Sequence, residues 1–414
     1  MILNVYTTPK KRRPSYLKIL GWLIIVAVIL SGYSYYALER PLPDLQPAVS
    51  SLKLQTGTGL SQLTWPTTGQ AAVAVDGTPI LEVHGTQTPT PTASVAKVVT
   101  ALTVLRQKPL KPGEQGPTIT LTDTDVAIYN TYVAQEGSIV PVSAGEEITE
   151  RQMLEAIMLP SANNMADSLA IWAYGSLSAY RAAAQSYVGS LGLKQTTVGT
   201  DASGFSPTST STAHDLVKLG TVVMDNPVLR EIVGMSTATD VPGQPSVENV
   251  NFLLGQSGII GIKTGNTDQA GGVFLSASTT TVNGKTVTVV TALAGAPSLF
   301  QALQNSLSLI DSAHANFAEA KLLAQGAVVG EYHQPWGGII PAAVATTLSD
   351  QAWRGTTLTA KVTLNPISPN ARKGQTVGTA ASSRTAFSTN VQTDVILLTS
   401  PTEPSKLWRL THPF

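Results

Sequence analysis

Ser94-Val-Ala-Lys97, Ser161-Ala-Asn163 and Lys263-Thr-Gly265 place, in that order along 414 residues, three hydroxyls, one side-chain amide and two amines. Acyl transfer needs such a set: a nucleophile, a base within hydrogen-bond reach, and donors where an oxyanion develops. The i,i+3 spacing of Ser94 and Lys97 puts hydroxyl and amine on one helical face. If Ser94 opens that helix, unpaired first-turn N–H groups surround it and the helix dipole favours negative charge there. Lys97 can then act as base once burial and a second cation lower its pKa toward neutrality, and Lys263 is the candidate cation.

Each motif is weak alone. Ser-x-x-Lys recurs at Ser15–Lys18 and Ser50–Lys53, and Ser-x-Asn recurs at Ser368–Asn370 and Ser388–Asn390. Context selects among the copies. Only Ser94 begins a long apolar-periodic stretch (Val95, Val98, Val99, Leu102, Leu105) directly after a hairpin-like segment. Ser161 follows Leu159-Pro160 at a break in a helical pattern, which turns its neighbours toward a cleft. Lys263-Thr-Gly265 occurs once and precedes a strand-like run, so Lys263 and Thr264 can point from a strand edge at a substrate carboxylate, while Gly265 lets a ligand approach the backbone.

The elements that must position these groups are legible in outline. Ala71–Val75 and Pro79–Val83 flank Asp76-Gly77-Thr78 as a hairpin would. Helical spacing returns through Met153, Ile157, Met165, Leu169 and Trp172, with Thr149 and Gln152 as a capping pair. Strand-like runs at Phe274–Ala277 and Val287–Thr291 and a helix from about Ser298 to Phe317 complete one mixed sheet. After about Ala318 the chain turns to short β-branched runs such as Thr357–Leu364 and Asp394–Thr399, the pattern of a small all-β domain.

Lys10, Lys11, Arg12, Arg13 and Lys18 precede an apolar run over 19–38, long enough to span a bilayer and followed by no clean cleavage site. The basic side should stay inside, leaving everything after about Glu39 outside, with Tyr33, Tyr35 and Tyr36 at the outer interface. The expected organisation is a basic tail (1–18), a transmembrane signal anchor (19–38), a Pro/Ser/Thr-rich linker (39–68), a catalytic domain (69–317) and a C-terminal β-rich domain (318–414). Removing residues after about 318 is expected to leave turnover of soluble substrates intact.

Composition narrows the classes further. Basic and acidic residues balance at 26 each, which gives no electrostatic hold on nucleic acid. The absence of cysteine excludes disulfides, thiolate catalysis and Cys-ligated zinc. The five histidines stand in no Gly-x-Ser-x-Gly or His-x-x-x-His context, and no metal or cofactor is expected.

In their order and spacing the three motifs match the set of penicillin-binding proteins and class A β-lactamases, and the chain resembles the D-Ala-D-Ala carboxypeptidases, the low-molecular-mass penicillin-binding proteins. Pro91–Leu102, Asp201-Ala-Ser-Gly204 with Ser211–Leu216, and Lys263–Gly271 carry the resemblance across about residues 66–315. Gly330-Glu331, Pro335-Trp-Gly337, Lys373–Gly378 and Trp408-Arg-Leu410 extend it into the tail. It implies an α+β, β-lactamase/transpeptidase-like domain, an antiparallel sheet with helices on both faces plus a helical subdomain, followed by the all-β domain. It also implies that Ser94 forms an acyl-enzyme, Lys97 accepts its proton and Ser161 relays protons. Asn163 would hold the substrate amide, Lys263 and Thr264 the terminal carboxylate, and the N–H groups of Ser94 and Asn266 the oxyanion.

Stem peptides ending in D-Ala-D-Ala are the implied substrates and β-lactams the implied covalent inhibitors. A transpeptidase or endopeptidase shares the acyl-enzyme and differs in the acceptor. A class A-like β-lactamase needs a deacylating Glu between the second and third motifs. The chain has no Glu between Glu155 and Glu231. A non-catalytic wall-binding protein would keep the scaffold without releasing D-Ala.

Overall fold

The strand Gln70–Val75 is buried along its whole length and faces two cores at once, because successive side chains leave a strand on opposite sides. Ala72 and Ala74 point into the larger core, whereas Ala71, Val73 and Val75 pack with Leu309 and Ala313 on the other face. The computed structural model describes residues 16–50, 55–239, 241–242, 244, 246–383 and 391–412. Lys10, Lys11, Arg12 and Arg13 lie outside these, as do Ser15, Lys53 and Ser388–Asn390 of the competing motif copies.

The catalytic sheet is antiparallel, in the order Ile259–Thr267, Gly271–Val282, Lys285–Ala296, Gln70–Val75, Leu81–His84. Its helices are α1 (Tyr16–Glu39), which stands apart, then α2 (Ala96–Gln107), α3 (Asp123–Ala134), α4 (Glu150–Met158), α5 (Asn163–Tyr174), α6 (Leu177–Ser190), α7 (Ala213–Asp225), α8 (Pro227–Val233) and α9 (Leu299–His314). One face of the sheet carries α9. On the other, α7 lies over the central strands, where Gly220 comes so near Val290 and Leu275 that a Cβ there would sit 2.6 Å from Val290 Cγ1. Every residue of α2 from Lys97 to Leu105 is buried, so the helix that bears Lys97 is the centre of the helical subdomain. Thr149 and Gln152 form the expected capping box at the start of α4.

Part of the segment 39–68, expected as a linker, is built into the C-terminal domain, while Leu63 and Trp65 pack against the catalytic sheet and α9. Pro47–Val49 pairs with Val328–His333 and Gln55–Gly57 with Thr357–Leu364, closing the two edges of a seven-stranded sheet. Leu45 bridges to Ile367 and is buried in that domain's core. Three-residue edge strands are too short to leave a periodic signal, hence their linker-like composition. A last helix, α10 (Lys406–Thr411), meets the end of α1: Arg409 Nη1 donates to the Leu38 and Arg40 carbonyls at 2.9 and 3.0 Å, and Tyr33 donates to the Leu410 carbonyl. The helix α1 has 24 residues, about 36 Å at 1.5 Å per residue, and no charge between Lys18 and Glu39, which fits membrane anchoring.

Nor do residues beyond 318 form a detachable unit. Trp353, 2% exposed, inserts into the core shared by Val73, Val75, Val289 and Leu309, and its indole N–H donates to Glu82. Asn283 in the sheet's hairpin binds Asp350 at 2.8 Å and the Gln351 side chain at 3.2 Å. Deletion would therefore uncover an apolar face of the catalytic sheet.

Glu150, the first residue of α4, is 1% exposed, and neither carboxyl oxygen has a hydrogen-bond partner among the described residues. Burial pushes its pKa up to about 7, opposed by the Lys108 ammonium. The unfolded chain ionises near 4.5, so the folded state binds more protons between these values, and stability falls as pH rises through that window. Glu150→Gln is expected to remove this slope and to gain about 1–3 kcal/mol at pH 8. Urea melts at pH 5 and 8 check it; equal wild-type stability at both would contradict the assignment.

Candidate active site

Ser94 lies in a single 3-10 turn, Ala93–Val95, that feeds directly into α2. Lys97, one turn on, is wholly buried and donates from Nζ to Ser94 Oγ at 2.8 Å, Asn163 Oδ1 at 2.7 Å and the Ser203 carbonyl at 2.9 Å. Burial first, and the Lys263 ammonium second, hold its pKa far below the usual lysine range; Asp201 and Asp167 pull the other way. A buried lysine whose pKa is pushed down in this way gives up a proton readily, and the neutral amine can then accept from the Ser94 hydroxyl instead of donating to it.

The turn Leu159–Ala162 joins α4 to α5 and sets the second motif. Asn163 opens α5, and its amide oxygen is the one bound to Lys97. Ser161 sits in the left-handed region at φ 68°, 5% exposed, with its hydroxyl unpartnered among the described residues. Such strained, unsatisfied polar residues gather at functional sites, where a substrate can complete the bonding. The structure thus joins Ser94, Lys97 and Asn163 by hydrogen bonds but gives Ser161 no bond to any of them.

Lys263 and Thr264 lie on the edge strand Ile259–Thr267, 1% and 4% exposed. The Lys263 ammonium has one weak bond, to the Thr264 carbonyl at 3.3 Å, and burial lowers its pKa to about 7. Gly265 serves a closer contact than the expected ligand: a Cβ there would meet the Thr92 carbonyl at 2.8 Å and Ser94 N at 3.2 Å. The glycine lets the edge strand lie against the nucleophile's own turn. Asn266 pairs in register with Gly272 and is exposed at the end of the strand.

The loop 201–206 is the part that motif reasoning left without a role. Ser203 supplies the third acceptor for Lys97 from its backbone, and Gly204 (φ 73°) presses on the nucleophile turn so closely that a Cβ would fall 2.1 Å from the Ala93 carbonyl. Its only sequence signal was the block Asp201-Ala-Ser-Gly204.

The family model described as D-alanyl-D-alanine carboxypeptidase, peptidase S11, matches residues 61–295. A D-alanyl-D-alanine carboxypeptidase of Streptomyces sp. strain K15 is 32% identical over 216 residues, covering 47% of this chain and 70% of the relative. The D-alanyl-D-alanine carboxypeptidase DacB2 of Mycobacterium tuberculosis is 32% identical over 193 residues, 45% of this chain and 62% of that one. Among solved structures, the Streptomyces K15 DD-transpeptidase superposes with a TM-score of 0.53 at 25% identity, covering 62% of this chain and 98% of that one. PBP3 of Streptococcus pneumoniae, a peptidoglycan synthesis regulatory factor, covers 82% and 99% with a TM-score of 0.56; at 18% identity it speaks to fold alone. With more than half of its length matched by the family model and the three motifs folded around one buried lysine, this chain belongs to the D-alanyl-D-alanine carboxypeptidase family of serine peptidases.

Proposed function

We propose that this protein is a serine-type D-Ala-D-Ala carboxypeptidase that removes the terminal D-Ala of peptidoglycan stem peptides through a Ser94 acyl-enzyme. The observation that carries this reading is the 2.8 Å bond between Ser94 Oγ and a fully buried Lys97 amine. Lys97 takes the Ser94 proton as Oγ attacks the penultimate D-Ala carbonyl. The N–H groups of Ser94 and Asn266 hold the oxyanion, and the proton passes, with Ser161 as relay, to the departing D-Ala nitrogen. Asn163 holds the substrate amide, and Lys263 with Thr264 holds the terminal carboxylate. Water then resolves the ester. β-Lactams enter by the same attack and leave a long-lived ester.

A second reading, transfer to an acceptor amine, is favoured by one finding: the K15 protein is called a carboxypeptidase as a relative and a DD-transpeptidase as a solved structure. Endopeptidase action would use the same acyl-enzyme. The test is D-Ala release from diacetyl-Lys-D-Ala-D-Ala, with and without glycine as acceptor, beside labelling by a fluorescent penicillin. Labelling without D-Ala release would sink the carboxypeptidase reading, and a transfer product would move the assignment to transpeptidation.

The chain's arrangement supports a single-pass anchor at 19–38 with the N-terminus inside and the catalytic domain (69–317) outside, beside a β domain (318–414) that also takes in residues 45–57. The tyrosines near the outer end of α1 and the contact of that end with α10 agree with this orientation.

The two lysines predict the pH profile. Lys263 binds a carboxylate only when charged, and burial leaves it losing its proton near pH 7, so kcat/KM should fall above about that pH. A bound carboxylate restores the charge, so kcat should hold to higher pH. An amide-terminated substrate should lack this alkaline limb. A kcat/KM that is flat to pH 9 for the acid substrate would remove Lys263 from carboxylate recognition.

A further inference from the structure

Lys97 hangs on a carbonyl that lies outside the three motifs, and two carboxylates hold that carbonyl in different ways. Asp201 folds back on its own loop: it accepts from the N–H groups of Ser203, Gly204, Phe205 and Ser206 and from the Ser203 hydroxyl, at 2.6–3.2 Å. Asp167 comes from another element. It stands on α5 one turn beyond Asn163, so one helix carries both an acceptor of Lys97 and this acid. Its Oδ1 accepts from the Ala202 N–H at 2.8 Å, immediately before Ser203. Its Oδ2 accepts from the Tyr132 hydroxyl at 2.8 Å, which lies 3.2 Å from Ser203 Oγ. The carboxylate therefore grips the Lys97 acceptor from both its backbone and its side-chain side, while itself only 6% exposed. A cavity of about 260 Å³, lined by Tyr132, Gln135, Asp167, Asp201, Phe205 and Ser206, is large enough for water, so Asp167 can exchange protons in place.

We propose that Asp167 is a positioning residue for the catalytic base: clamped between the Ala202 amide and Tyr132, it fixes the Ser203 carbonyl that aims Lys97 and supplies part of the field in which Lys97 gives up its proton. This inference rests on the Ser94–Lys97 chemistry proposed above. The ionisable groups around the pair are few. Lys263 faces Lys97 from the edge strand, Asp201 from the loop and Asp167 from α5; Tyr132 of α3 and Tyr180 of α6 face the carboxylates. Burial pushes Asp167 up to about 6, with Asp201 adding to the shift and the Ala202 N–H, Tyr132 and Lys97 opposing it. Asp201 thus fastens the loop to itself, whereas Asp167 ties it to α5 and, with its pKa raised to about 6, carries a pH-dependent charge.

The sign of the effect separates tuning from simple support. A charged Asp167 raises the Lys97 pKa, so Asp167→Asn should lower it and move the acid limb of the rate of penicillin acylation down by about half to one pH unit. The plateau should fall several-fold as Ser203 loosens. Asp167→Glu, which keeps the charge, should return the limb toward the wild-type position. The experiment measures the second-order acylation rate of the full-length chain in detergent from about pH 4 to 9, beside a 13C NMR titration of Lys97 Cε. An acid limb and a Lys97 titration that do not move in Asp167→Asn overturn the proposal. If that variant does not fold, Tyr132→Phe, which cuts only the hydroxyl bridge, should lower the plateau at least about threefold; an unchanged plateau overturns it equally. Failure of the wild-type chain to acylate would strike the Ser94 reading, whereas the NMR titration needs no turnover and decides Asp167 by itself.

Discussion

Ser94→Ala should lower D-Ala release by at least about 10⁴-fold and abolish covalent labelling by penicillin, with little change in stability. The size follows from the site's construction. The half-buried Ser94 Oγ meets the Lys97 amine at 2.8 Å, and among the described residues no other hydroxyl bonds that amine. Ser161 is the nearest alternative by type, yet its hydroxyl makes no bond to Lys97. Intact-protein mass spectrometry after penicillin treatment checks the prediction, with peptide mapping to place the adduct. An adduct that persists in Ser94→Ala would mean that the nucleophile has been misassigned.

Lys97→Met should cost about 10²–10⁴-fold in acylation, the usual contribution of a positioned general base. The side chain that replaces the amine is apolar and unbranched, so it fills the stem's space without the desolvation cost of a buried amine. Three acceptors, Ser94 Oγ, Asn163 Oδ1 and the Ser203 carbonyl, lose their donor. These opposing effects should leave the melting temperature within a few degrees of wild type. Activity and stability together make the test informative: a variant that folds as well as wild type and acylates at the same rate would show that Lys97 is not the base.

Much of this site could be read before any coordinates, for a physical reason. A nucleophile and base on one helix face have a fixed spacing, and so do a capping pair and a strand-edge Lys-Thr-Gly. Spacing alone fits all three Ser-x-x-Lys copies, and Ser94 stands out because only that copy leads into an apolar-periodic stretch. What spacing does not show is a backbone acceptor. The Ser203 carbonyl has the same chemistry whatever residue bears it, and Asp167 and Tyr132 reach it from separate helices through tertiary packing alone. Gly265 shows a related limit: the sequence indicates that a close approach is allowed there, but the atoms that approach in the fold, Thr92 to Ser94, come from a distant part of the chain. Likewise the pairing of Pro47–Val49 and Gln55–Gly57 is set by the partners' open sheet edges and leaves no pattern in those residues themselves.

That pairing also imposes an order of assembly. The two short strands emerge from synthesis directly behind α1, but their partners, Val328–His333 and Thr357–Leu364, are made only after the whole catalytic sheet. Contacts so distant in sequence form slowly. Until they form, both edges of the remaining five strands stand open to pairing with another chain. The catalytic domain is in effect an insertion within the β domain, and the β domain is the last part of the molecule to become protected. A chain interrupted late in synthesis should therefore carry an unfinished, aggregation-prone β domain, and the interval in which quality-control proteases can recognise it is set by the return of the C-terminal strands to Pro47–Val49 and Gln55–Gly57.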